Sequence, residues 1–319
     1  MRTKLLVVAG LLSVSSIYAS SIPLSQVTGI VAFGDSLSDN GNAAFALGGT
    51  LPGNYAPNAF TDGTNTTPGT NGPLGVWVDQ FAAKAGLPDP QPFLSNPLSG
   101  TNVAVGLAHT GSADPQDISN QVSTFSAAHP FGIPSNALYT IWGGANDLLD
   151  MVNDPKTAAD NLYSNILTLS GEGAKFFLWL NLPQLGDVPV VKAQGPAAIA
   201  ALNAASSAFN AEWTVDLSNL QSQGINVVGL NIGSLFSQII ADPTAFGLQN
   251  ATGSAQGQAV DPNKFLFWDG LHPTTAGHAL VADFAFDNLA TPEPFSAGLA
   301  LMGLFGVAAV LKLRRHQNR

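Results

Sequence analysis

Five short runs rich in leucine, β-branched and aromatic residues constrain this chain more than any other feature, because each lies many residues from the next. They fall at 30–33, 102–105, 137–142, 175–180 and 226–230. A hairpin needs only a few connecting residues, whereas strands joined by long crossovers lie parallel and need helices on both faces of their sheet. Helical patterning fills the gaps at 76–85, 157–170, 196–221, 233–240 and 275–288. The expectation is therefore an α/β fold with a central five-stranded parallel sheet. Residues 48–75 are dense in Gly, Pro, Asn and Thr and show no hydrophobic period, which predicts a long surface loop. No repeat or linker divides 25–290.

Charge narrows the partners. Six of the 11 Lys and Arg residues lie at the two ends, leaving Lys84, Lys156, Lys175, Lys192 and Lys264 in the body and no arginine at all. Against those five cations stand twenty of the 21 acids, a net charge of −15 before histidine is counted. Such a body offers almost nothing to phosphate, so nucleic acid is rejected as a partner. The absence of cysteine excludes disulfides, thiolate metal sites and a cysteine nucleophile together.

Both ends read as addresses. Residues 1–19 run from Arg2 and Lys4 through an apolar stretch to Ala19, the layout of a secretory signal peptide. At the other end, residues 295–311 form 17 uncharged, mostly apolar positions followed by Lys312, Arg314 and Arg315. As a helix that run spans roughly 26 Å, enough for a thin bilayer, and the basic cluster places the C-terminus in the cytoplasm. Pro292, Glu293 and Pro294 precede it. Triplet, apolar run and terminal basic cluster together resemble the PEP-CTERM sorting tail of some Gram-negative bacteria. That resemblance implies an exosortase-like processing enzyme as a partner, and membrane attachment through the tail until processing. The expected organisation is a signal peptide at 1–19, a catalytic domain at 20–291 and a sorting tail at 292–319.

In open α/β sheets ligands bind beyond the carboxyl ends of the strands, and the chemistry-bearing residues of this chain gather there. Gly34, Asp35 and Ser36 follow the first run, Gly106 and Leu107 the second, and Gly144, Ala145 and Asn146 the third. Before the last helix stand Asp269 and His272. A carboxylate three residues before a histidine can accept from its Nδ1, fixing the tautomer and leaving Nε2 as a base. Ser36 supplies a hydroxyl and a backbone N–H, and Asn146 an amide donor. Together they make an acyl-transfer site of nucleophile, base, orienter and oxyanion donors. Taken singly, the same residues also suit turns and helix caps. His109 lies close enough to the second block to touch substrate, His278 reads as a packing or surface residue, and His129 and His316 read as surface residues.

No G-x-S-x-G pentapeptide occurs. The blocks GDSLSDNGN (34–42), NGPLGVWVDQFA (71–82), TNVAVGLA (101–108), GANDLL (144–149) and FLFWDGLHPTTAGH (265–278) instead resemble the GDSL or SGNH hydrolase family of esterases and lipases. The resemblance implies a three-layer α/β/α sandwich with no metal or organic cofactor. It implies Ser36 as nucleophile, His272 as base, Asp269 as its orienter, and Ser36 N–H, the Gly106 region and Asn146 as the oxyanion hole. One departure stands out: similar proteins often carry a glycine pair where this chain has Gly106 and Leu107, so a backbone that favours positive φ meets a leucine and the oxyanion N–H falls to either Gly106 or Leu107. The function expected is an exported serine esterase or lipase acting on a lipid, an acetylated polysaccharide or a small ester. The alternative is a surface or matrix binding protein that uses the same fold without turnover.

Overall fold

The computed structural model describes residues 22–52, 55, 58–62 and 75–290. In chain order the elements are β1 (Ile30–Gly34), α1 (Asn42–Ala46), α2 (Trp77–Ala85), α3 (Ile118–Ala128), β2 (Leu138–Trp142), α4 (Ala145–Leu149), α5 (Pro155–Gly171), β3 (Phe176–Leu180), α6 (Pro189–Lys192), α7 (Pro196–Ser222), β4 (Val227–Leu230), α8 (Ile232–Ala241), β5 (Asn250–Ser254), β6 (Phe265–Phe267) and α9 (Thr275–Ala290). The expected signal peptide and sorting tail lie outside the described residues.

Strands β1 to β4 pair side by side, all parallel. Because β1, β2 and β3 are buried along their whole length, they must be apolar on both faces, as their sequences are. Alternate residues enter opposite cores. Ile30, Ala32, Leu138, Leu178 and Leu180 face the side covered by α2, α8 and α9. Val31, Phe33, Tyr139, Ile141, Phe177 and Trp179 face the side covered by α3, α5 and α7. The three-layer α/β/α sandwich follows from that alternation.

The expected fifth strand needs correction. Residues 101–105 do run beside β1, where Ala32 N–H donates to the Thr101 carbonyl and Val103 and Val105 N–H donate to Ala32 and Gly34. The segment forms only an isolated parallel bridge, so the regular sheet has four strands. The ladder breaks at Gly34, whose N–H donates to Gln121 Oε1 instead of to this segment. Asn102 Oδ1 accepts from Ala104 N–H, and Asn42 Nδ2 donates to the Asn102 and Ala104 carbonyls. Those bonds lie on the edge away from β1, where Asn102 also pairs with residues 91–93 through Gln91 and Phe93.

The order across the sheet is thus 101–105, β1, β2, β3, β4. The chain reverses its direction of advance between β1 and β2, which is where such folds open a crevice. A short parallel pair, β5 and β6, stands apart from the main sheet and delivers the chain into the loop before α9. Helix α3 went unread in the sequence, although Ile118, Val122 and Phe125 keep helical spacing and are all buried. Its Ser, Thr and Asn content is that of a loop, and tertiary packing overrides it. Helix α5 carries a plainer signal, with Asp154 accepting from Lys156 and Thr157 N–H ahead of Pro155.

Candidate active site

The turn after β1 is tightly held. Gly34 lies so close to the Trp142 carbonyl that any side chain there would collide with it. Gln121, buried on α3, accepts from Gly34 N–H at 3.0 Å and donates to its carbonyl at 2.8 Å. Asp35 Oδ1 accepts from Leu37 N–H, and its carbonyl accepts from Ser38 and Asp39 N–H. Ser36 is thereby lifted to the tip of β1, mostly buried, with its own N–H donating to no acceptor among the described residues.

The loop after β6 is built by Asp269. Its Oδ1 accepts from Leu271 and His272 N–H at 2.7 Å each, and its Oδ2 faces His272 Nδ1 at 2.8 Å. Trp268 N–H closes the loop on the His272 carbonyl, and Val190 N–H ties Gly270 to α6. From there His272 Nε2 reaches Ser36 Oγ at 2.9 Å, across 236 residues of sequence. Burial alone would raise the Asp269 pKa, but the bond from His272, the charge on its ring and a bond from Tyr55 outweigh it and hold the carboxyl well below the usual range. Asp269 is therefore anionic wherever the imidazole works.

Asn146 stands at the start of α4, beyond β2. Its Nδ2 donates one hydrogen to the Ala108 carbonyl at 3.0 Å, and the other remains for a ligand. Of the two candidates for the remaining donor, Gly106 faces away from the cleft. Its N–H donates to Asp39 Oδ2 at 2.8 Å, deep inside the protein, so it is not a donor to the cleft. Leu107 occupies that place: it lines the cleft, its N–H has no acceptor among the described residues, and it takes φ 70° itself. The glycine at 106 answers a different need, since a Cβ there would meet the Phe60 ring at 2.6 Å.

Ser36, Leu107, Asn146 and His272 line one cleft. Its other walls are Trp142, Leu149, Leu182, Pro183, Leu185, Val188, Phe236, Phe267 and Leu271, with Asp35 beside the serine. Burial pushes the Asp35 carboxyl up to about 6 against the opposing bond from Leu37 N–H.

Three contributors were not legible in the sequence. Asp39, fully buried, accepts from Gly41, Asn42, Ala43 and Gly106 N–H, and so welds the serine loop to the loop that presents Leu107. Tyr55 and Phe60, both from the 48–75 loop, lie against His272. The other histidines separate clearly. His109 lies off the cleft, with Nε2 3.1 Å from Asp150. His129 is half-buried on Phe125, more enclosed than a surface residue. His278 is buried, accepts from Trp77 N–H and is pushed down to about 3 by burial and by the charge of His272. His316 lies outside the described residues.

Among the described residues two groups of carboxylate and imidazole ligands lie close enough to share an ion, and both are tied up by protein donors. Asp117 accepts from His109 and Asp114 N–H, and Lys156 Nζ bridges Asp160 and Glu212. Neither group reaches the cleft.

A four-stranded parallel sheet with serine, histidine and aspartate linked at its carboxyl edge defines a class, and sequence comparison agrees. The family model for GDSL-like lipase/acylhydrolase matches residues 30–285, and the chain belongs to that family. Esterase EstA of Pseudomonas aeruginosa is 32% identical over 92% of this chain and 51% of its own length. Thermolabile hemolysin of Vibrio parahaemolyticus is 27% identical over 81% of this chain and 63% of its own. The phosphatidylcholine-sterol acyltransferase of Aeromonas hydrophila is 25% identical over 84% of this chain and 92% of its own. The chain thus spans about half the length of the EstA relative. Among solved structures, phospholipase A1 from Streptomyces albidoflavus NA297 aligns at 16% identity and a TM-score of 0.46 over 82% of this chain and 99% of that one.

Proposed function

We propose that the protein is a serine ester hydrolase working through an acyl-enzyme. The observation that carries this reading is the unbroken line from Asp269 through His272 to Ser36, at 2.8 and 2.9 Å. A serine hydroxyl is a weak nucleophile until a base takes its proton. In the proposed reaction Ser36 Oγ attacks the ester carbonyl as its proton passes to His272 Nε2, and Asp269 stabilises the imidazolium. Ser36 N–H, Leu107 N–H and the free Asn146 hydrogen receive the oxyanion. His272 returns the proton to the leaving alcohol, and then activates the water that releases the acid.

The cleft walls and the charge of the body indicate the substrate. Leu182, Leu185, Val188, Phe236 and Phe267 offer an acyl group an apolar surface, each buried methylene contributing about 0.8 kcal/mol. A body with five lysines, no arginine and twenty acids attracts anionic headgroups weakly. Neutral esters with an aliphatic acyl chain fit best, ahead of acetyl esters. Hydrolysis of a neutral ester series of increasing acyl length by the full chain tests this, with Ser36→Ala as control. Rates rising beyond acetate, and absent from Ser36→Ala, are expected; a strict preference for acetate would overturn the acyl assignment.

The proposal extends to location. Export through residues 1–19, and retention by residues 292–319 until an exosortase-like enzyme processes them, account for the charge pattern of both ends. Mass spectrometry of the mature cell-associated protein tests it, since an intact Arg319 would leave only a plain membrane anchor.

A further inference from the structure

We propose that Tyr55 is a positioning residue for the Asp269–His272 pair, and that with Phe60 it forms an aromatic clamp that sets the orientation of the imidazole. The inference rests on the serine-hydrolase reading of the same site.

Tyr55 Oη donates to Asp269 Oδ2 at 2.6 Å, the oxygen that also faces His272 Nδ1. With Leu271 and His272 N–H on Oδ1, this bond brings the carboxylate to four donors and leaves it no freedom to turn. The Tyr55 ring stands edge-on to the imidazole, centroids 5.8 Å apart and planes at 90°. Phe60 stacks on the imidazole at 5.1 Å and 27°, and its ring meets Tyr55 at 5.3 Å. Phe60 also fills the space above Gly106, so the clamp touches the imidazole and the loop presenting Leu107 together.

Two consequences follow. The imidazole is fixed in the plane that aims Nε2 at Ser36 Oγ, because one ring closes its face and another its edge. Tyr55 and the Nδ1 hydrogen also share the charge of one carboxylate oxygen, so removing the hydroxyl concentrates that charge on the imidazole. The other titratable groups whose charge reaches His272 are Asp35 and His278, on separate elements, and neither contacts Tyr55.

The test compares Tyr55→Phe, Tyr55→Ala and Ser36→Ala with the wild-type full chain on a short soluble ester, recording kcat, KM and the pH dependence of kcat/KM. Melting curves establish that each variant folds. Tyr55→Phe keeps the ring and loses only the hydroxyl. It should lower kcat about tenfold, the value of one hydrogen bond to a charged group, leave KM within about twofold, and move the acid limb of the profile to higher pH. Tyr55→Ala, which removes the wall as well, should lose more. Wild-type kcat and an unmoved acid limb in Tyr55→Phe would overturn the proposal. So would a rise in KM alone, which would make Tyr55 a substrate contact. Activity surviving in Ser36→Ala would instead mean that the serine-hydrolase reading itself has failed.

Discussion

Replacing Asp39 with alanine tests how the site is held together. The carboxylate is fully buried and accepts four backbone N–H bonds, from Gly41 at 2.8 Å, Asn42 at 2.7 Å, Ala43 at 2.9 Å and Gly106 at 2.8 Å. Alanine leaves all four donors facing a cavity, and each unsatisfied buried group costs about 1–3 kcal/mol. Two effects reduce the sum. Water can enter the space and pair with some donors, and the loss of a buried charge relieves the desolvation that raises the Asp39 pKa. The net is about 3–5 kcal/mol, as for other broken buried charge networks. For a domain of this size that lowers Tm by roughly 8–15 °C. Urea unfolding followed by tryptophan fluorescence measures it directly. Catalysis should suffer too, since Gly106 N–H anchors the backbone that presents Leu107, and kcat should fall more than KM rises. A Tm within about 2 °C of wild type, with unchanged kcat, would refute the reasoning, because four buried bonds cannot be removed without cost unless they contribute nothing.

Other perturbations probe single features. Asn146→Ala should lower kcat by roughly 10²–10³ with little change in KM, as removal of an oxyanion donor does; a rise in KM alone would make the amide a ground-state contact. Leu107→Gly should raise stability by about 0.5–1 kcal/mol, because an exposed leucine held at φ 70° carries strain that glycine does not, and a lower Tm would show that the leucine packs usefully. Asp35, raised to about 6, binds its proton more tightly folded than unfolded. Its contribution therefore favours the folded state at low pH and is lost as pH climbs from about 4 to 6, by on the order of 3 kcal/mol. Asp35→Asn should match wild type near pH 4 and be the more stable near pH 8; equal melting temperatures at both would contradict that sign.

The legible part of the site was the part written locally. Asp269 and His272 sit three residues apart in one turn, and Ser36 and Asn146 each follow an apolar strand, so short-range pattern and the geometry of parallel sheets suffice to find them. What escaped depends on distance in sequence. The Asp39 bond to Gly106 spans 67 residues, and nothing in either segment announces the other. Tyr55 and Phe60 come from a stretch without hydrophobic period, which reads as loop and says nothing of where its aromatic rings land. The glycine at 106 meets a packing need, because the neighbour it accommodates is Phe60, and nothing near 106 in the sequence announces that ring. The fifth strand failed for a related reason. Residues 101–105 have strand character and lie along β1, yet Gly34 N–H donates to Gln121 on α3 rather than to the segment, and an amide side chain in a sequence does not reveal its partner.

Ester hydrolysis by this protein requires Ser36 to be the nucleophile that His272 activates. Intact-mass analysis of the full chain after treatment with a fluorophosphonate ester, followed by peptide mapping, tests that directly. The prediction is one phosphonyl group per chain, on Ser36, with hydrolysis lost in proportion to labelling, much slower labelling in His272→Ala and none in Ser36→Ala. A Ser36→Ala protein that still hydrolyses esters at the wild-type rate, or a label carried on another residue as activity disappears, would contradict it.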